Sequence, residues 1–128
     1  RISIAIGISK GLIYLHEDYE QEKCMVHCDL KPRNILLDRE LQPHIVDFVI
    51  AQILSREGNG TSNINASMTA MLKGSIGYMA PSMCLVKPSE KVGTYSYGVI
   101  LLELITQKLP TNTEFGEEQS LRSWVQGI

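Results

Sequence analysis

A chain of 128 residues has room for one small domain around a single core. A hydrophobic share of 44% argues against a wholly disordered chain, and a formal charge of -2 with its basic residues scattered argues against nucleic acid or anionic lipid as the main partner. Three cysteines, Cys24, Cys28 and Cys84, without a C-x-x-C spacing fit reduced thiols in the cytosol better than a disulfide framework or a zinc site.

The chain opens on Arg1 with no signal peptide, and reads as a piece whose beginning lies elsewhere. No apolar run approaches the roughly 20 residues of a membrane span. Residues 1 to about 18 should be helical, because Ala5, Ile8, Leu12 and Leu15 recur at three- and four-residue intervals. Gly7 and Gly11 weaken this helix by about 1 kcal/mol each relative to alanine, and leave room for close packing against another element. Asp18 to Lys23 should be a turn. Pro32 lacks an amide donor, so Cys28 to Arg33 reads as a loop. Ile35-Leu36-Leu37 and Ile45-Val46 read as two short strands of a hairpin, the second ending at Asp47. From Ser55 to Thr69 the composition predicts a mobile loop. "YSYGVILLELIT", residues 95 to 106, is apolar on nearly every side, as in a helix buried in a larger core. "SLRSWVQGI" should begin an amphipathic helix with Ser120 at its N-cap.

The informative feature is His27-x-Asp29-Leu30-x-x-x-Asn34, followed by Asp47-Phe48. Phosphoryl transfer explains these residue types. A hydroxyl nucleophile needs a carboxylate to orient it and take its proton, and Asp29 suits that role. Asn34 and Asp47 supply hard oxygen ligands of the kind Mg²⁺ prefers. Lys31, on the same loop, can neutralise charge on the phosphate in flight. His27 reads as a hydrogen-bonded core residue, Trp124 as core packing, and the cysteines as inert thiols.

On these residues the chain resembles the C-terminal lobe of the eukaryotic protein kinases, over nearly its whole length. "IAIGISKGLIYLHED" is similar to the helix before the catalytic loop, and Met25 to Asp38 to that loop. "VDFVIA" stands where Asp-Phe-Gly belongs, "KGSIGYMAP" resembles the end of an activation segment over 47–82, and residues 93–106 resemble the central buried helix, with a further helix starting near 119. The wording is closest to plant leucine-rich-repeat receptor kinases, and Lys31-Pro32 is the serine/threonine form of the loop. The resemblance implies a mainly α, kinase-like C-lobe with a short β-hairpin beside the catalytic loop. It implies Asp29, Lys31 and Ser75 as catalytic residues, Ser75 bridging the other two. It implies Asn34 and Asp47 as ligands of Mg²⁺, Lys31 with them in binding ATP, and a protein substrate or an intact kinase as partner, on the cytoplasmic side.

Four positions depart from the family. Cys28 stands where many kinases carry an arginine, which a subset of plant receptor kinases also lacks. Val49 replaces the glycine after Asp47-Phe48, and should shift or freeze the backbone that aims Asp47. Thr94 stands where an aspartate is expected to accept hydrogen bonds from the catalytic-loop backbone, and Ser82 where a glutamate follows Ala-Pro. A glycine-rich loop and a strand lysine for the nucleotide are expected upstream of residue 1. The chain by itself should therefore bind Mg-ATP weakly and catalyse slowly or not at all. The rival reading is a non-catalytic, pseudokinase-like binding module or a decayed receptor-kinase fragment. A small-molecule phosphotransferase is a third, opposed by Lys31-Pro32 and "GSIGYMAP".

Overall fold

The computed structural model describes residues 1–56, 74–81, 88–115 and 120–127. Helix α1, Ile2–Ile13, runs without a break into a π-helical turn, Tyr14–Asp18. Ile8, Leu12 and Leu15 are buried along it, which is the stripe that the apolar spacing predicts.

Two small antiparallel sheets follow. Strand β1, Lys23–Val26, pairs with β4, Gln52–Ser55, placing Cys24 opposite Leu54 and Val26 opposite Gln52. The sequence reading contained neither strand. It placed Lys23 at the end of a turn and Ser55 at the start of a loop; residues 57–69 of that loop lie outside the described residues. The second sheet is the expected hairpin. A 3-10 turn, Pro32–Asn34, leads into β2, Ile35–Leu37, which pairs with β3, Pro43–Ile45. The second strand lies two residues earlier than the apolar pair Ile45-Val46 suggested, because Pro43 can occupy an edge. Val46 nevertheless extends the ladder, its N–H donating to the Asn34 carbonyl at 2.9 Å.

The hairpin sits directly on α1. A Cβ on Gly7 would come within 2.4 Å of Pro43 Cγ, and one on Gly11 within 3.0 Å of Ile45 Cδ1. Only hydrogen fits at Gly7. Gly7→Leu should therefore cost about 1–3 kcal/mol through overpacking, despite its better helix propensity. The urea midpoint measures the loss, and adding Pro43→Ala should recover part of it. An unchanged midpoint in Gly7→Leu would show that the hairpin is not seated on the helix.

Helix α2, Glu90–Thr106, starts a turn earlier than the apolar run suggested, with Ser89 in the N-cap position. It buries Val92, Gly93, Ser96, Val99 and Ile100. Burial on nearly every side is not met: Ile105 is 73% exposed. Among the described residues the main partners of α2 are α1, β1 and a short third helix. That helix, α3, spans Leu121–Gln126 and is capped as expected. Ser123 N–H donates to Ser120 Oγ at 3.3 Å, and Ser120 N–H donates to Ser123 Oγ at 2.9 Å. Trp124 packs against Phe115, with ring centroids 5.5 Å apart.

The molecule thus combines helices with two short sheets around two apolar clusters. Ile8, Leu12, Leu30 and Ile100 form one; Cys24, Val26, Cys28, Ala80 and Val92 form the other. Cys28 and Leu30 belong to different clusters, so Asp29 is suspended between the two.

Candidate active site

The alternation of buried Cys28 and Leu30 turns Asp29 away from both cores and toward the 74–81 segment. Its carboxylate is a hub. Oδ2 accepts from Lys31 Nζ at 2.7 Å and from Asn34 Nδ2 at 3.3 Å, while Oδ1 accepts from the Ser75 N–H at 3.1 Å. Lys31 Nζ also donates to Ser75 Oγ at 2.6 Å. Asn34 Nδ2 bonds the Asp29 carbonyl at 2.9 Å and fixes the loop from within. Four of the five candidate residues, Asp29, Lys31, Asn34 and Ser75, therefore share one network. It is well shielded from water: the Asp29 side chain is 12% exposed and that of Lys31 22%. Shielding of this order strengthens each charge-assisted bond.

Asp47, the fifth, joins through its backbone neighbours. Val46 bonds Asn34, as above, and the Val46 carbonyl accepts from His27 Nε2 at 2.8 Å. His27 Nδ1 accepts from the Asp29 N–H at 3.3 Å. The two bonds together specify the neutral, Nε2-protonated tautomer, and the ring is fully buried with Phe48 packed 4.8 Å away. His27 is a buried structural bracket, as its place in the motif suggested. The Asp47 carboxylate is exposed and makes no hydrogen bond among the described residues. Asn34 spends its amide nitrogen on Asp29, which leaves its oxygen for a cation. Two uncommitted hard oxygens fit Mg²⁺.

Both turns carry backbone strain. Cys28 and Asp47 have φ of 66° and 65°, a left-handed conformation that costs a non-glycine residue about 1 kcal/mol or more. Val49 does not share it: its φ is not positive, and its side chain is 83% exposed on the turn that Ala51 N–H closes to Phe48 O. The left-handed residue is Asp47 itself, and the β-branched Val49 needs no positive φ at its own backbone. Burial pushes the Cys28 thiol up to about 11, and raises Cys24 as well, so both thiols are inert at neutral pH. Cys84 and Ser82 lie outside the described residues.

Thr94 requires a correction. It is exposed, and its hydroxyl donates to the Glu90 carbonyl of its own helix at 3.2 Å instead of reaching the 27–34 loop. The neighbouring Gly93 faces inward. A Cβ there would stand 3.0 Å from His16 Nε2, a buried nitrogen with no hydrogen-bond partner among the described residues. Burial lowers the His16 pKa, and the nearby Glu90 and Glu17 charges only partly offset it. The unfolded chain then takes up this proton first, near the ordinary 6.5. Stability should be complete above that pH and fall as pH drops below it. Urea unfolding at pH 7.5 and 5.5 should show a loss that is smaller in His16→Gln; equal losses would remove His16 as the cause.

A second brace was not legible beforehand. Ser96 Oγ donates to the Tyr78 carbonyl at 2.7 Å, Tyr78 OH donates to Glu103, and Tyr78 N–H donates to the Ser75 carbonyl at 3.2 Å. Burial and the Glu103 carboxylate raise the Tyr78 phenol well above its usual pKa. Ser96 and Glu103 lie seven apart on α2. That i, i+7 spacing was the available signal for a shared face.

Comparison with known proteins fits this construction. Residues 2–126 match the family described as the protein kinase domain, and the chain belongs to that family. Within it, the resemblance is to plant receptor-like serine/threonine kinases. Receptor-like protein kinase 7 of Arabidopsis thaliana is 42% identical over 98% of this chain and 12% of its own length. The Arabidopsis LRR receptor-like serine/threonine-protein kinase GSO2 is 38% identical over 100% of this chain and 10% of its own. The putative receptor protein kinase ZmPK1 of Zea mays is 45% identical over 83% of this chain and 12% of its own. The chain thus spans 10 to 12% of these curated relatives. Among the described residues no helix is long and apolar enough to cross a membrane.

Proposed function

We propose that the chain is the C-terminal lobe of a receptor-type serine/threonine kinase, with a catalytic loop over 25–38 and an activation segment over 47–82. Its reaction is transfer of the ATP γ-phosphoryl group to a protein Ser or Thr, on the cytoplasmic side. The observation that carries this reading is the Lys31 ammonium held at 2.7 Å from Asp29 and 2.6 Å from Ser75. Asp29 orients the substrate hydroxyl and takes its proton. Lys31 stands beside it as the cation for the transferring group, and Ser75 ties the two to the substrate-facing segment. Asn34 and Asp47 are the residues that would hold Mg²⁺, which with ATP supplies charge neutralisation at the phosphates.

The 128 residues contain no G-x-G-x-x-G loop. The chain alone is therefore expected to bind Mg-ATP weakly and to turn over very slowly. Joined to a competent N-terminal lobe, it should phosphorylate a protein substrate. The test is radiolabel transfer by the fusion compared with the isolated chain.

The second reading is a non-catalytic, pseudokinase-like module that docks on an intact kinase or its substrate. Ile76, 83% exposed on the 74–81 segment, favours it. A folded fusion that transfers no phosphate, with Gly restored in Val49→Gly as well, would select this second reading.

A further inference from the structure

A cavity of about 310 Å³ lies between α1 and α2. Ser9 and Leu12 of α1, with His16 of the turn that follows it, face Glu90, Thr94 and Tyr97 of α2 across it. Gly93 lies on the same stripe of α2 and brings no side chain to this contact. A Cβ there would stand 3.0 Å from His16 Nε2 and 3.6 Å from Leu12 Cδ2, both residues of the cavity wall.

The polar atoms of that wall are acceptors. The Ser9 hydroxyl donates to the Ile6 carbonyl at 2.8 Å, that of Thr94 to the Glu90 carbonyl at 3.2 Å, and that of Tyr97 to the Ala5 carbonyl at 2.9 Å. Each hydroxyl has committed its only proton and keeps lone pairs for a donor. Glu17 and Glu90 add two exposed carboxylates. His16 completes the set. The residue is only 9% exposed, yet its Nε2 has no hydrogen-bond partner among the described residues. A buried ring nitrogen left in this way calls for a partner from outside.

A wall of acceptors carrying two negative charges suits a ligand that is cationic and rich in N–H donors. A metal ion fits poorly, because among the described residues no three His, Cys, Asp or Glu side chains converge to hold one. The chain's own cations do not fill the space. Among the described residues no lysine or arginine lines it, and the Arg56 guanidinium is held at the His16 carbonyl. Leu12 and Ile13 give the cavity an apolar side along which a short methylene chain can lie.

The geometry points to a binding site for an alkylguanidinium or alkylammonium group. Its N–H donors meet His16 Nε2 and the hydroxyl oxygens, while Glu17 and Glu90 balance its charge. A donor at Nε2 requires the proton of His16 on Nδ1, so the ligand also selects the tautomer. The site uses neither Asp29 nor Lys31 and stands apart from the kinase reading.

Nuclear magnetic resonance of the 128-residue chain, with its histidine rings labelled with ¹⁵N, tests the site. Titration with n-butylguanidinium at pH 7.5 and constant ionic strength should move the His16 Nε2 signal toward that of a lone-pair nitrogen, with a dissociation constant on the order of 1 mM. His27, whose two ring nitrogens are already bonded, should not move. n-Butylurea, which keeps the donors but lacks the charge, should bind at least about tenfold more weakly. Glu17→Gln and Glu90→Gln should each raise the dissociation constant at least about threefold. Both residues are exposed, so these variants should keep the wild-type circular dichroism spectrum. A capped Gly-Arg-Gly peptide that moves the same signal would assign the cation to a protein side chain; movement with n-butylguanidinium alone would assign it to a free small molecule. A His16 signal unmoved at about 50 mM n-butylguanidinium, one moved equally by n-butylurea, or affinity unchanged in both glutamine variants would each overturn the proposal.

Discussion

In a fusion to a competent N-terminal lobe, Asp29→Asn is expected to lower phosphoryl transfer by about 10²–10⁴-fold, the usual contribution of a positioned general base. The change is nearly isosteric but reverses one hydrogen-bonding partner. Both Asp29 oxygens accept: one from Ser75 N–H, the other from Lys31 and Asn34. An amide must aim its NH₂ at one of these donor sets, so the network loses register together with its base. The loss should fall on kcat with KM little changed, because the contact matters most as the hydroxyl proton leaves. A decrease of less than about threefold would remove Asp29 from the role of base.

The second large effect is structural. Leu30→Ala should cost about 2–5 kcal/mol. Leu30 is 1% exposed and packs with Ile8, Leu12 and Ile100, which belong to both main helices. Cys28 holds the other side of Asp29 in the second cluster. Emptying one anchor should lower the urea midpoint and also speed amide exchange at Asp29 and Lys31. Leu36→Ala, at a 56% exposed hairpin position, serves as the control and should change stability by no more than about 0.5 kcal/mol. Equal effects at the two leucines would mean that the loop is not suspended between two cores.

Much of this was readable from local patterns. The stripe Ile8, Leu12, Leu15 marked α1, the break at Pro32 marked the loop, and Ser120 marked the start of α3. The β1–β4 pair was not readable, because each strand has only four residues and its partner residues lie 26 to 32 positions away. Nothing local to "KCMV" announces "QILS". The apolar run in α2 was readable as a helix but its burial was not, since burial depends on which neighbours arrive. Thr94 shows the limit most clearly. One residue along a helix rotates a side chain by about 100°, so a position assigned by resemblance alone can point to solvent while its neighbour, Gly93, faces the core. Left-handed Asp47 was equally hidden: a shifted or frozen backbone around Asp47 was expected from Val49, but a positive φ at Asp47 has no signature in composition.

The pairing of β1 with β4 also has a topological consequence. It ties the chain into a ring over residues 27 to 51, and Asp29, Lys31, Asn34 and Asp47 all lie inside it. Closing a ring of that size costs about 3 kcal/mol of chain entropy, and the cost falls on the segment as a whole. The four residues are therefore carried on one closed loop with both ends side by side at Val26 and Gln52. A shift in the β1–β4 register would therefore move all four residues together relative to the surrounding helices.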